Sequence, residues 1–318
     1  MLALNIIIFV VALIILGSAS GLITRGNLRF LTLFRVGDYK GILFLIGFAV
    51  ALPEILVAVF ALFFGMPALS FGNIIGANVA DMTLVLGLAA YFSGGLKIDN
   101  HFSNKIFWTT ALISLLPVIV AMDGIISRTD GVFLLIIFCL YASALMLDLK
   151  FIKKDVASIP FSVSHIKDTV ESFKGKAIGY TLLAMSTALL VMASISISGF
   201  YSINPIYFGM VFLGLATTIQ ELFLNTEVGI SRSPSLIMGA VLGSIAINST
   251  AVLGLLSTII PIKIILDPLG LFVAGTFLFI SFLLFRTLAY TGGRISRAEG
   301  VVLVLLYVLF FISQLYFL

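Results

Sequence analysis

The sequence predicts an all-α integral membrane protein of ten transmembrane helices, built as two five-helix repeats of inverted topology. Three observations lead there. Of 318 residues, 61% are hydrophobic and only 10% are charged, whereas ordinary soluble domains carry roughly a quarter charged residues. The apolar residues gather into ten runs, most of them near the roughly 20 helical residues that a bilayer core requires. The second half of the chain also repeats the first at a displacement of 167 residues, which carries Glu54 onto Glu221.

In chain order the runs are Leu2–Ile23, Gly41–Phe64, Phe71–Phe92, Ile106–Ala121, Gly131–Leu147, Ala177–Ile197, Pro205–Ile230, Leu236–Ile260, Leu269–Phe285 and Gly300–Leu318. The shortest of them span a membrane when tilted or extended. The first ends in Gly17-Ser18-Ala19-Ser20, which resembles a signal-peptidase site. No Lys or Arg precedes it and it exceeds a usual signal core, so it reads as a retained helix. The chain divides into a first repeat (1–149), a connector (150–176) and a second repeat (177–318). The conspicuous motifs lie at about 47–88 and 214–255.

Alternate threading places sixteen of the 18 Lys and Arg residues on one side and leaves only Arg128 and Lys263 on the other. The positive-inside rule then puts both termini outside the cell membrane and the loop 148–176 in the cytoplasm. The net charge of +4 thus reports topology and gives no ground for nucleic-acid binding. The connector reads as solvated, since its apolar residues keep no helical period, and it is too short for a separate regulatory domain. Nothing in the sequence demands an oligomer, and a monomer suffices.

Within the second run, Ala49-Val50-Ala51-Leu52-Pro53-Glu54 sets a helix breaker beside a carboxylate. Pro53 has no N–H, so the carbonyl of Ala49 loses its helical partner and is free to ligate. A carboxylate at this depth costs roughly 2.5–3.5 kcal/mol on insertion scales, which makes Glu54 a functional-site candidate. The register carries Gly47 to Gly214, Gly72 to Gly239, Gly76 to Gly243, Asp81 to Asn248 and Thr83 to Thr250. It also carries Val85-Leu86-Gly87-Leu88 onto Val252-Leu253-Gly254-Leu255. An odd number of spans per half inserts the second copy upside down, as in many secondary transporters.

Glu54, Asp81 and Glu221 lie well inside runs, while Glu227 sits near Arg232 at a membrane face, and no Lys or Arg lies deep. Bound cations or protons must therefore neutralise the three carboxylates. His101 and His165 fall outside the runs and Cys139 stands alone, so the available ligands are oxygens, which suit Ca²⁺, Mg²⁺, Mn²⁺ and Na⁺. Helical spacing sets Thr217, Thr218 and Asn225 on the face of Glu221, Ser244 one turn from Asn248, and Asn78 one turn from Asp81. The same hydroxyls and amides also serve as interhelical glue, and the Gly72/Gly76 and Gly239/Gly243 pairs as close-packing surfaces.

Ala51-Leu52-Pro53-Glu54 with Gly72-Asn73 through Asp81, and Ala216-Thr217-Thr218-Ile219-Gln220-Glu221 with Gly239 through Asn248, resemble the two α-repeats of the sodium/calcium exchanger family. The resemblance implies a transporter with no cofactor, whose partners are the bilayer and its cations. It implies Glu54 and Glu221 as paired Ca²⁺ ligands, Asp81 and Asn248 beside them, and Thr217, Thr218 and Ser244 at Na⁺-lining positions. It also implies that the helices of Leu2–Ile23 and Ala177–Ile197 slide across the core. The chain departs from the family pattern at Val50, Ala51 and Ala77, which lack hydroxyls, and at Gln220, which replaces a proline. With three carboxylates exceeding one divalent charge by one, Asp81 becomes a candidate proton carrier. A H⁺-coupled divalent exchanger is therefore one alternative to Na⁺ coupling. An intramembrane carboxylate enzyme is a remoter one, with no Gly-x-Gly-Asp motif and no deep base for a phosphate.

Overall fold

Proline and glycine punctuate the apolar runs into the helices of the computed structural model, which describes residues 2–33, 46–98, 104–147, 167–219, 221–222, 234–265 and 268–318. Helix α1 (Leu2–Leu33) and helix α6 (Lys167–Phe200) contain no proline and run for 32 and 34 residues. At 1.5 Å per residue they reach about 48 and 51 Å, beyond a hydrocarbon core of about 30 Å. Because α6 starts at Lys167, the end of the 150–176 connector is helical: no proline lies between Pro160 and Pro205 to stop it. Helix α2 (Leu52–Phe63) follows a helical stretch at 46–50, with a break at Ala51, whose ψ is −1°.

Helix α3 (Pro67–Ser93) is α-helical to Ala80, π-helical over Asp81–Val85 and α-helical again to Ser93, where Gly94 closes it with φ +78°. Helix α8 repeats this plan in Pro234–Ala246, a π turn at Ile247–Val252 and Leu253–Ile259. The two π turns share the 167-residue register, and a threonine hydroxyl bonds back one turn in each. Thr83 Oγ1 donates to the Val79 carbonyl and Thr250 Oγ1 to that of Ala246, both at 2.5 Å. Such back-bonding bends a helix, and π turns favour functional sites. The remaining helices are α4 (Asn104–Val120), α5 (Arg128–Leu147), α7 (Pro205–Ile219), α9 (Pro268–Gly292) and α10 (Arg297–Leu315). Helix α7 has its own π turn at Gly209–Leu213.

Seven helices (α1, α3, α5, α6, α8, α9 and α10) are long and apolar enough to cross a membrane, and the shorter apolar α2, α4 and α7 fill the other three runs. The chain is thus a helical, multi-pass membrane protein. Helices α3 and α8 lie at its centre, with 83% and 94% of their apolar windows buried, whereas only 17% of Leu2–Ala19 is buried. Helix α1 packs along α6 at the edge of the bundle.

Several contacts occur twice with the halves exchanged. The end of α3 packs on α10, and the end of α8 on α5. Strand β1 (Leu96–Lys97) pairs with β4 (Arg294–Ile295), and β2 (Ile125–Ile126) pairs with β3 (Ile262–Lys263), both antiparallel. Helices α5 and α10 both open on a serine capped by an acid three residues on. Ser127 N–H donates to Asp130 at 2.8 Å and Ser296 N–H to Glu299 at 2.7 Å.

Small residues make these crossings possible, because helices in lipid associate by close packing with little hydrophobic drive. A Cβ on Gly87 would lie 2.7 Å from the Gly300 carbonyl oxygen, and one on Gly254 3.0 Å from that of Gly131. A Cβ on Gly47 would stand 2.6 Å from Gly243 Cα, and one on Gly214 3.0 Å from the Gly76 carbonyl carbon. The packing role expected of Gly76 and Gly243 is thus present. Gly87→Val and Gly254→Val should each cost about 1–3 kcal/mol through overpacking and lower the melting midpoint in detergent. Gly199→Ala, with nothing within 4 Å of the new Cβ, should leave the midpoint unchanged or slightly raised.

Candidate cation site

Pro53 and the bend at Ala51 set Glu54 in the first turn of α2, where the helix dipole favours a negative charge. Glu54 is fully buried, and neither of its carboxylate oxygens has a hydrogen-bond partner among the described residues. Asp81 opens the π turn of α3 and is equally buried. Its Oδ2 accepts from Ser244 Oγ of α8 at 3.1 Å, while Oδ1 has no such partner. Glu221 follows the end of α7, is 1% exposed and has both oxygens unpartnered among the described residues.

The three carboxylates interact with one another. Asp81 has Glu221 as its near side-chain neighbour, Glu54 has Thr217 beside it, and Glu54 feels the charge of Asp81. Among the described residues, no three Asp, Glu, His or Cys side chains come together to ligate one ion. Any shared ion must complete its shell with neutral oxygens, as hard cations do.

Those oxygens are fully buried, but the structure arranges them differently from simple helical spacing. Thr217 Oγ1 lies 3.3 Å from Asn73 Oδ1 and 3.2 Å from the Gly214 carbonyl, and Thr218 donates back to Gly214 at 2.8 Å. Asn78, one turn before Asp81, donates from Nδ2 to Ser249 Oγ at 2.8 Å. The π turn from Ile247 interrupts the α-helical step between Ser244 and Asn248. Ser244 reaches Asp81 across the halves, while both amide atoms of Asn248 stay unpartnered among the described residues. Ala49 is half-buried in the helical stretch before the bend. Gln220, Asn225, Glu227, His101, His165 and the connector up to 166 lie outside the described residues.

Sequence reading missed Ser70, Asn73 and Ser249. The signal for two of them was the repeat itself, since Ser70 and Asn73 fall on Ile237 and Ala240, polar residues opposite apolar ones in otherwise matching helices. Among the residues whose burial is described, no Lys, Arg or His is buried.

A helical membrane bundle enclosing acidic side chains without a basic partner belongs to the class of membrane transporters, in which intramembrane acids mark ion pathways. Comparison with known proteins narrows the class. The sodium/calcium exchanger protein family matches residues 4–147 and 172–316, and the chain belongs to it. Membership sets the intramembrane enzyme reading aside. The uncharacterized membrane protein MJ0091 of Methanocaldococcus jannaschii is 26% identical over 247 residues, 77% of this chain and 78% of its own. CaxA of Alkalimonas amylolytica, which bears the name of an antiporter, is 23% identical over 263 residues, 80% of this chain and 81% of its own. Solved structures of the sodium-calcium exchanger NCX_Mj share the fold. One soaked with 100 mM Na⁺ and 10 mM Sr²⁺ superposes with a TM-score of 0.69 at 24% identity, covering 97% of this chain and 98% of that one.

Ser244→Ala should destabilise the ion-free protein by about 1–3 kcal/mol, because it leaves a buried carboxylate without its donor. Adding Asp81→Leu should recover part of that loss. A double-mutant cycle on detergent melting should therefore show coupling of about 0.5–3 kcal/mol, and strict additivity would refute the contact.

Proposed function

We propose that the chain is a secondary antiporter that exchanges Ca²⁺, or a similar divalent cation, for Na⁺ by alternating access at the carboxylate site between two inverted five-helix halves. One observation carries the reading: three carboxylates fully enclosed by apolar helices, with no buried basic residue among those described. A charge so placed is tolerable only when neutralised. Family membership supports Ca²⁺ and Na⁺ as the neutralising ions, and the exchanged contacts of α3 with α10 and α8 with α5 support the inverted repeat.

In this mechanism Glu54 and Glu221 hold the divalent ion. The Ala49 carbonyl, Thr217, Thr218, Ser244, Asn78 and Asn248 supply neutral oxygens to it or to its counter-ions. Occlusion is favoured only when the site is charge-neutral, which couples the two ion flows. Helices α1 and α6, paired at the edge of the bundle, are the elements that slide across the core. Both termini face outside and the 148–176 connector is cytoplasmic.

Proton coupling is the second reading, favoured by the missing hydroxyls at Val50, Ala51 and Ala77 and by the third carboxylate, Asp81, with its unpartnered Oδ1. In liposomes, Ca²⁺ uptake should follow an imposed Na⁺ gradient and vanish in Glu54→Gln. Uptake driven by a pH gradient alone would assign the coupling to protons, and no uptake of Ca²⁺, Mg²⁺ or Mn²⁺ in either case would overturn the exchanger reading. If Asp81 carries the proton, protons compete with the metal for the site. Ca²⁺ affinity should then rise from about pH 6 to about pH 8 in the wild type and stay flat in Asp81→Asn. Matching profiles in the two proteins would remove Asp81 from that role.

A further inference from the structure

We infer that the face of α3 bearing Ser70, Asn73 and Asp81 is a water-lined access path, joining the carboxylates to the membrane side where α3 begins, and that the equivalent face of α8 excludes water. The inference rests on the inverted-repeat reading above.

On an α-helix, positions 70, 73 and 81 fall within about 80° of one another and span about 16 Å of rise. Ala77 lies between them, too small to interrupt the stripe. All three polar residues are fully buried, and each has an atom without a hydrogen-bond partner among the described residues: Ser70 Oγ, Asn73 Nδ2 and Asp81 Oδ1. The nature of these atoms selects the ligand. Asn73 Nδ2 is a donor and would repel a bare cation, so it calls for an acceptor, and Ser70 Oγ one turn away both donates and accepts. Together they offer the polar partners that an ordered water requires. The other end of the Asn73 amide is engaged, since its Oδ1 faces the Thr217 hydroxyl at 3.3 Å. Asn73 thus stands between the outer end of α3 and Thr217, the neighbour of Glu54.

The second half carries no such row. The 167-residue register takes Pro67, where α3 starts, onto Pro234, where α8 starts, and takes Ser70 onto Ile237, Asn73 onto Ala240 and Asp81 onto Asn248. Ile237 and Ala240 are buried at 0% and 1% exposure. In an inverted repeat α8 begins at the opposite membrane side, so the approach from there runs past an apolar wall, which resists wetting. In this conformation water then reaches the carboxylates over a polar path from the side where α3 begins.

The test is water access to thiols, since only the hydrated thiolate reacts with a charged reagent. In a Cys139→Ala background, Ser70→Cys, Asn73→Cys, Ile237→Cys and Ala240→Cys would each be reconstituted in liposomes and exposed to a membrane-impermeant methanethiosulfonate added to one side at a time. Positions 70 and 73 should react from one side, at least about tenfold faster than 237 and 240, because only hydrated thiolates react. Equal rates at the two pairs, or no reaction at 70 and 73 in protein that elutes as a single folded species, would overturn the inference. Should Asn73→Cys not fold, Ser70→Cys against Ile237→Cys decides alone. Labelling requires no transport, so the two readings fail separately. Absent Ca²⁺ uptake with the asymmetry intact would defeat the proposed function, and normal uptake with equal labelling would defeat only the path.

Discussion

The enclosure of Glu54, Asp81 and Glu221 in an apolar bundle is the constraint on which the rest of the protein depends. Each buried charge is expensive in lipid, by roughly 2.5–3.5 kcal/mol even on the mildest scale. The fold meets that cost with few protein contacts: one hydroxyl on Asp81, a threonine beside Glu54, and the first turn of α2 under its carboxylate. Such a site is stable mainly when something positive occupies it. In the proposed mechanism the same deficit couples the two ion flows.

Duplication provides the frame, and divergence provides the asymmetry. Paired glycine crossings, paired capping boxes, two exchanged strand pairs and π turns in register tie the halves together around α3 and α8. Side chains at the centre have nonetheless drifted apart. Hydroxyls at 217, 218, 244 and 249 face Val50, Ala51, Ala77 and Met82 in the register, while Ser70, Asn73 and Asn78 face Ile237, Ala240 and Ile245. Amides of the first half meet hydroxyls of the second across the interface in the Asn78–Ser249 and Asn73–Thr217 contacts.

Much of this was legible in the sequence, because lipid imposes rules that act residue by residue. Every backbone amide must be satisfied within its own helix, so apolar runs become helices, and an acid inside one is conspicuous. The membrane character, the duplicated motifs, the three carboxylates and the packing glycines all follow from composition and register alone. What the tertiary structure decided depends on distances between elements far apart in the chain. Ser244 of α8 meets Asp81 of α3, while Asn248, inside the π turn of α8, is left without a partner among the described residues. Helix α6 extends back into the connector because no local signal ends it. The roles of Ser70, Asn73 and Ser249 emerge only once α3 is laid against α7 and α8, for a lone polar residue in an apolar run reads as glue until its neighbours are known.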